Sequence, residues 1–532
     1  MMQPISRNLL WGVLLSAALT TLADCDSSCD NSNSCAFPDA YHLNVNGNIF
    51  GMTNYTARPV QWDQFRRMSG ASTEKIHLFG AEETYGLLSL ALQYQQTTES
   101  NRFAQWFAFN NEALDGMTYG PTSGSYDIDS LNFGVTATGK ITMCPRIQNV
   151  IADIDFFVGW DGLVCGLWSR VSCPINYTRW NLNLDDNSDG AGSDLFAEDM
   201  MVQNNEAPVV YADLKAAWAG NLTFGDATTL NYGKIDGAQH KTAVAGLKLE
   251  LGYDFLRRER SHVALSVMAV APTGNKPQAV YLFEPIYGSG GCWEVGADLN
   301  AHYNFWENQD CNQTLGVHVD LSAVAQLKHQ QTRLFGLKAG TNHTCSAGAS
   351  WLLLKQFDSS GEYAGVLPRA ANILALEAQI GAGFEADLGV ILKYSHNHLS
   401  ADFGYELYHR GAEKLCGRTA ITANTYGIKG ATTISSIELN ETDSTATIST
   451  NGSGDGSTAV YLKDSDVCEC TALQPAYLSN KFFNFYQYAW DSCSWEPTLG
   501  AGYSYEIGAE KQGVKNIAAN QWSVMAKGSI SF

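Results

Sequence analysis

The sequence predicts an all-β chain, a transmembrane antiparallel β-barrel of about 14–16 strands with long external loops. Three observations predict it. Long segments alternate apolar and polar residues with a period of two. No apolar run beyond residue 23 is long enough for a membrane-spanning helix. The first residues read as an export signal.

The N-terminus sets the compartment. Met1–Asn8 carries one base, Arg7, and no acid, and Leu9–Ala23 is mostly apolar and ends in Thr21-Leu22-Ala23. That order suits a secretory signal cleaved after Ala23. A membrane anchor would need roughly 20 apolar residues, and the run has 15. A lipid-modified Cys25 is the other reading, disfavoured by Asp24 immediately before it. The chain then divides into the signal (1–23), a Cys-rich segment (24–40) and the barrel (41–532).

Composition narrows the class further. Hydrophobic residues make up 45% and charged residues only 16%, with 49 Gly, 24 Tyr and 23 Phe, a strand-forming mixture. A net charge of −21 excludes nucleic acid as a partner, since a phosphate backbone needs a basic surface. All 13 Cys lie beyond the cleavage point. In an exported chain they read as disulfides, with at least one sulfur left over and no connectivity legible from spacing.

Alternation is clearest near the C-terminus. Trp522, Val524, Ala526, Gly528, Ile530 and Phe532 share one face, and only Met525 spoils the polar one. Residues 293–305 and 315–328 repeat the pattern, as do 130–143, 242–255, 263–271, 374–388, 399–408 and 498–509. A soluble sandwich turns such an apolar face inward, whereas a membrane barrel turns it to lipid. Length decides for the barrel: membrane strands need roughly nine to eleven residues, and globular strands average about five or six. Trp293, Phe305, Trp306, Trp522 and Phe532 at strand ends suit an interfacial girdle. Connections alternate between short (256–261, 307–313) and long (173–241, 272–291, 329–371, 411–475). A strand is required within 476–490, and 41–129 shows no clean alternation. In the loop 173–241, Asp213–Trp218 is the helical candidate.

The terminal strand ending in Phe532 resembles the C-terminal signature of Gram-negative outer-membrane proteins. That resemblance implies recognition by the barrel assembly machinery through Trp522, Val524, Ile530 and Phe532, and outer-membrane lipid around the wall. More loosely, the Cys content and Phe403-Gly404-Tyr405-Glu406-Leu407-Tyr408 are similar to major outer-membrane proteins of chlamydia-like, amoeba-associated bacteria.

If polar faces line a lumen, they bring acids from many strands: Asp153, Asp155, Glu250, Asp254, Glu294, Asp298, Asp320, Glu377, Glu385, Asp387, Asp402 and Glu406. The bases are Lys140, Lys248, Lys328 and Lys527. Such a lining predicts a porin-like path for small hydrophilic solutes with mild cation selectivity. The alternative is a structural or adhesive barrel with a plugged lumen and binding loops. A soluble carbohydrate-binding protein ranks third. His302 and His318 would face each other across a hairpin near Asp298 and Asp320, a grouping able to bind metal or exchange a proton. No nucleophile motif accompanies them, so no enzyme is expected. Asp185, Asn187 and Asp189 match the first half of a calcium loop, but Phe196 stands where the bidentate Glu belongs. No other cofactor is indicated, and self-association stays open.

Overall fold

The computed structural model describes residues 51–98, 104, 106–107, 116–121, 126–189, 212–221, 223–308, 312–339, 344–429, 461–490, 495–511, 514–515 and 517–532. The export signal, the Cys-rich segment 24–40 and the start of the region from residue 41 lie outside these residues.

Twelve antiparallel strands form the wall, numbered here in chain order. They are β1 (Tyr85–Thr97), β2 (Arg146–Gly159), β3 (Leu167–Asn181), β4 (Leu247–Arg258), β5 (Ser261–Ala271) and β6 (Glu294–Asn308). β7 (Gln313–Gln326), β8 (Phe384–His396), β9 (Leu399–Arg410), β10 (Tyr477–Ala489), β11 (Glu496–Gly508) and β12 (Gln521–Ser531) complete it. Each strand pairs with its neighbours in sequence, and the ring closes where β1 pairs with β12, Leu87 opposite Ser531. The barrel is therefore as expected in class, with fewer strands than 14–16. Eleven residues rising roughly 3.3 Å each, tilted about 40°, climb about 28 Å, enough for an outer-membrane apolar band.

Period two decides the two faces of the wall. On β1, Leu88, Leu90 and Leu92 point outward and are about half exposed, while Ser89, Ala91 and Gln93 are buried inside. The outer face continues through Leu249, Leu251, Leu265, Val267, Phe403 and Val524. Trp293, Phe305 and Trp306 are exposed at opposite ends of β6, as a girdle requires. Phe532 lies on the same outer face, its N–H donating to Gly86 O at 3.0 Å and its ring stacked on Phe156.

All short turns lie at the end that carries Phe532, and all six long connections lie at the other. The long connections build a second folded layer, here called the cap. Its core includes Trp106, Phe133, Trp218, Phe224, Phe335 and Trp351. Its small sheets account for the missing wall strands. The 130–143 stretch is a 3-10 turn (Ser130–Phe133), irregular chain and a short strand, Gly139–Thr142, in a cap sheet. The 374–388 stretch breaks at Gly383: Ala375–Ala382 joins a cap sheet, and only Phe384 onward enters the wall. A short helix at Leu214–Trp218, capped by Asp213, occupies the site expected for it.

Two further features hold the cap. Cys345 and Cys468 form a disulfide across 123 residues. Arg333 donates twice to Glu413, at 3.1 and 3.2 Å, with both side chains buried. Burial works against the Glu413 charge, but the Arg333 and then the Arg410 guanidiniums outweigh it and hold the carboxyl below its ordinary value. Burial pushes the Cys292 thiol up to about 12, so this sulfur stays protonated and unreactive.

Candidate functional site

The lumen is occupied by the chain itself. Residues 51–84 enter through the cap, descend inside the barrel and turn into β1 at the short-turn end. At the top, Thr53 N–H donates to Thr471 O at 3.0 Å, and Tyr55 packs among Phe107, Trp180 and Phe283. Midway, a one-turn helix, α1 (Gln64–Met68), sits across the lumen, capped by Asp63 Oδ1 accepting from Phe65 N–H at 3.0 Å. The sequence favours this turn: an Asp cap precedes residues without Gly, Pro or a β-branched side chain.

Three arginines of this segment meet the acids of the wall. Arg58 reaches Glu506 at 3.1 Å, Asp387 at 3.4 Å and Glu406, while its guanidinium lies over the Tyr408 ring. Arg66 binds Asp63 at 2.9 Å and Asp153 at 3.1 Å. Arg67 bridges Glu250, Asp298 and Asp320 at 2.6, 3.2 and 2.9 Å. The wall adds its own bases. Lys481 pairs with Asp63 and Glu406, Lys393 with Asp402, and Arg410 with Glu385. Lys527 donates to the Arg66 and Ser69 carbonyls at 2.6 and 3.0 Å, where the end of the α1 turn favours a cation.

Contacts reach the whole ring. The segment touches Gln93 on β1, Asp153 on β2, Arg170 on β3, Glu250 on β4, His262 on β5 and Asp298 on β6. It touches Asp320 on β7, Asp387 on β8, Glu406 on β9, Lys481 on β10, Glu506 on β11 and Lys527 on β12. Apolar packing supports the polar net: Phe65 and Met68 lie against Ile391, Phe483, Phe485 and Met525. Two cavities lined by segment and wall hold about 20 Å³ each, one beside Arg58 and Glu506, one beside Arg66 and Asp155. Each has room for about one water, not for a solute.

Most acids expected in the lumen are therefore there, but buried in ion pairs instead of facing open water. Asp155 accepts from Arg170 at 2.8 Å, Asp254 lies 2.7 Å from His77, and Glu294 accepts from Trp62 and Gln326 at 3.0 Å. Lys248 stacks on Trp62 beside Glu250. Three expected lining residues belong elsewhere. Glu377 is exposed in the cap sheet, because the strand breaks at Gly383 before the wall begins. Lys140 is exposed on the cap strand Gly139–Thr142. Lys328 is exposed after β7 has ended at Gln326. Asp185 and Asn187 are alternate residues of an extended strand, Asp185–Ser188, paired to Gly139–Thr142, and Asp189 follows it. An extended backbone does not by itself wrap oxygens around one ion, and the remainder of the expected calcium loop, from residue 190, lies outside the described residues. His302 and His318 do face each other, as expected of the hairpin, with rings stacked at 5.3 Å. Asp298 and Asp320, however, are committed to Arg67 one layer deeper.

No protein-family model matches the chain, and no curated protein matches it. Among solved structures, it is similar to an outer-membrane channel of Pseudomonas putida F1, at 10% identity over 85% of this chain and 97% of that one, TM-score 0.37. The toluene transporter TodX of Pseudomonas putida aligns at 9% identity over 90% and 95% of the two chains, TM-score 0.31. The translocator domain of the autotransporter NalP from Neisseria meningitidis aligns at 7% over 88% and 94%, TM-score 0.27. The fold assignment rests on the closed ring of strands itself.

Proposed function

We propose that this chain is an outer-membrane β-barrel channel for small hydrophilic solutes whose lumen is held shut by residues 51–84. One observation carries the reading: the inner wall is charged and polar apart from apolar patches around Phe65 and Ile76, and the segment filling it is held largely by ion pairs and hydrogen bonds. Over most of such a wall, displacing the segment exchanges protein partners for water, and apolar exposure is confined to the patches around Phe65 and Ile76. The outward apolar face with aromatic residues at its rims supports the membrane location. With the segment in place the bases of Arg58, Arg66 and Arg67 offset the acid excess. Once it leaves, the carboxylates that remain favour cations.

A second reading is a closed barrel that presents its cap to a partner. The cap's own core and its Cys345–Cys468 disulfide favour it, since neither is needed for conduction.

Single-channel recording of the refolded, detergent-purified protein in a planar bilayer separates the two. The channel reading expects rare or small steps from the wild type and frequent, larger ones when Arg58, Arg66 and Arg67 are all replaced by Gln. Silent membranes from both proteins, with insertion confirmed, would sink the channel and leave the closed barrel.

A further inference from the structure

Below the arginine layer, toward the short-turn end, four imidazoles form one column. His262, His302 and His318 occupy directly opposed lumen positions on β5, β6 and β7. His77, from the descending segment, completes it. The rings follow one another at centroid separations of 4.4 Å (His77 to His262), 4.3 Å (His262 to His302) and 5.3 Å (His302 to His318). His262 Nδ1 faces His302 Nδ1, and His262 Nε2 lies 2.6 Å from Asn300 Oδ1. His77, His262 and His318 are all buried.

We infer that this column is a proton-operated latch: neutral, it holds the lower end of the lumen segment against the wall, and protonated, it releases residues 74–84. The inference concerns only how the segment is held, so it stands or falls separately from conduction.

The argument is one of charge accommodation. Two facing imidazole nitrogens can share a single proton as N–H···N, so the column is cohesive with few protons. Each further proton places like charges at ring-stacking distance with no water between them. The groups facing the column balance one proton, on His77 through Asp254, but among the described residues no carboxylate is paired with His262, His302 or His318. Asp254 on β4 is the carboxylate in contact with His77, and it also has Arg257 at 3.9 Å. Arg257 in turn is paired with Asp161. Phe157 on β2 and Trp168 on β3 meet His77 edge-on, and Tyr85 on β1 accepts from Leu78 N–H. On the far side Lys393 on β8 is the diagonal lumen neighbour of His318, and its own carboxylates, Glu74 and Asp402, are already paired with it. A free imidazole takes up its proton near pH ~6.5, so the released state binds more protons than the closed one below that value. By linkage, closure is favoured as pH rises and lost as pH falls.

Hydrogen exchange of the full-length protein in micelles, read at about pH 7.5 and about pH 5 after correction for intrinsic rates, tests this. Peptides covering 74–84 should lose protection by about tenfold or more on acidification, while β1 amides keep theirs. The double variant His262→Gln, His302→Gln keeps polar groups but cannot charge, and should hold the same protection at both values. If that variant fails to fold, His77→Phe retains a stacked ring without a titratable group and should behave likewise. Equal protection of the wild type at both values, or an equal loss in the variants, would overturn the latch.

Discussion

Arg67 Nε lies 2.9 Å from Asp320 Oδ2, joining the lumen segment to a wall strand 253 residues further along the chain. The same guanidinium also serves Glu250 and Asp298; Glu250 keeps a second cation in Lys248 at 3.0 Å, whereas Asp298 and Asp320 are paired through Arg67. Replacing Arg67 with Met keeps an unbranched, flexible side chain, about two atoms shorter, and removes the charge. The acids left unpaired should then cost about 3–5 kcal/mol. Urea unfolding followed by gel mobility should show that loss, and bilayer recordings should show longer openings.

Gly70 has a backbone φ of +71°, and an added Cβ would come within 2.9 Å of the Phe485 ring. Its N–H donates to Asp402 at 2.7 Å. Gly70→Ala should therefore strain the segment by about 1–2 kcal/mol from the left-handed conformation alone. A lower melting midpoint with unchanged strand content by circular dichroism is the expected outcome; an unchanged midpoint would mean that the segment yields freely at this point.

Met525→Ser would restore the alternation of the last strand. The ordinary expectation for a barrel lining is that a polar residue there is harmless. Here Met525 packs against the apolar cluster around Phe65, so the change should destabilise by about 2–4 kcal/mol, as for other large-to-small core changes. A neutral result in equilibrium unfolding would argue that Phe65 does not dock on the wall in solution.

In the cap, Glu413 has its carboxyl held below the ordinary value, so its pairing stabilises the fold above the unfolded glutamate value of about 4.3 and is lost as pH falls through the depressed one. Glu413→Gln removes that dependence and leaves Arg333 without its buried anion. The variant should be less stable near neutral pH, and its acid unfolding curve should be flatter than that of the wild type below about pH 4. Parallel curves would show that another carboxylate governs the acid limb.

The wall was legible because its signal is local: each strand declares its two faces by alternation, and chain ends and turn lengths then fix the order. The contents of the lumen were less legible, because nothing periodic marks residues 51–84. Their signal was indirect. Met525, Phe483 and Phe485 put apolar side chains on faces that should be polar, and all three sit around Phe65. Arg58, Arg66 and Arg67 fall within a stretch without alternation, opposite a wall with surplus acids. Glu506 was missed as a lining residue although it lies on the inner face of β11, beside Arg58. The cap was misread for the opposite reason. Segments such as 130–143 do alternate in part, but they are too short and broken to reach across a membrane.

The pairing of β1 with β12 has a consequence for assembly. The ring cannot close until Gln521–Ser531 exists, whereas residues 51–84 precede every wall strand. Since that segment contacts all twelve strands, drawing it in after closure would mean pulling charged side chains through a sealed wall from one end. A route in which the strands gather around the segment avoids that passage and would let Arg58, Arg66 and Arg67 meet their carboxylates as each hairpin arrives. On that route the segment that fills the finished lumen is also the mandrel on which the barrel is wound.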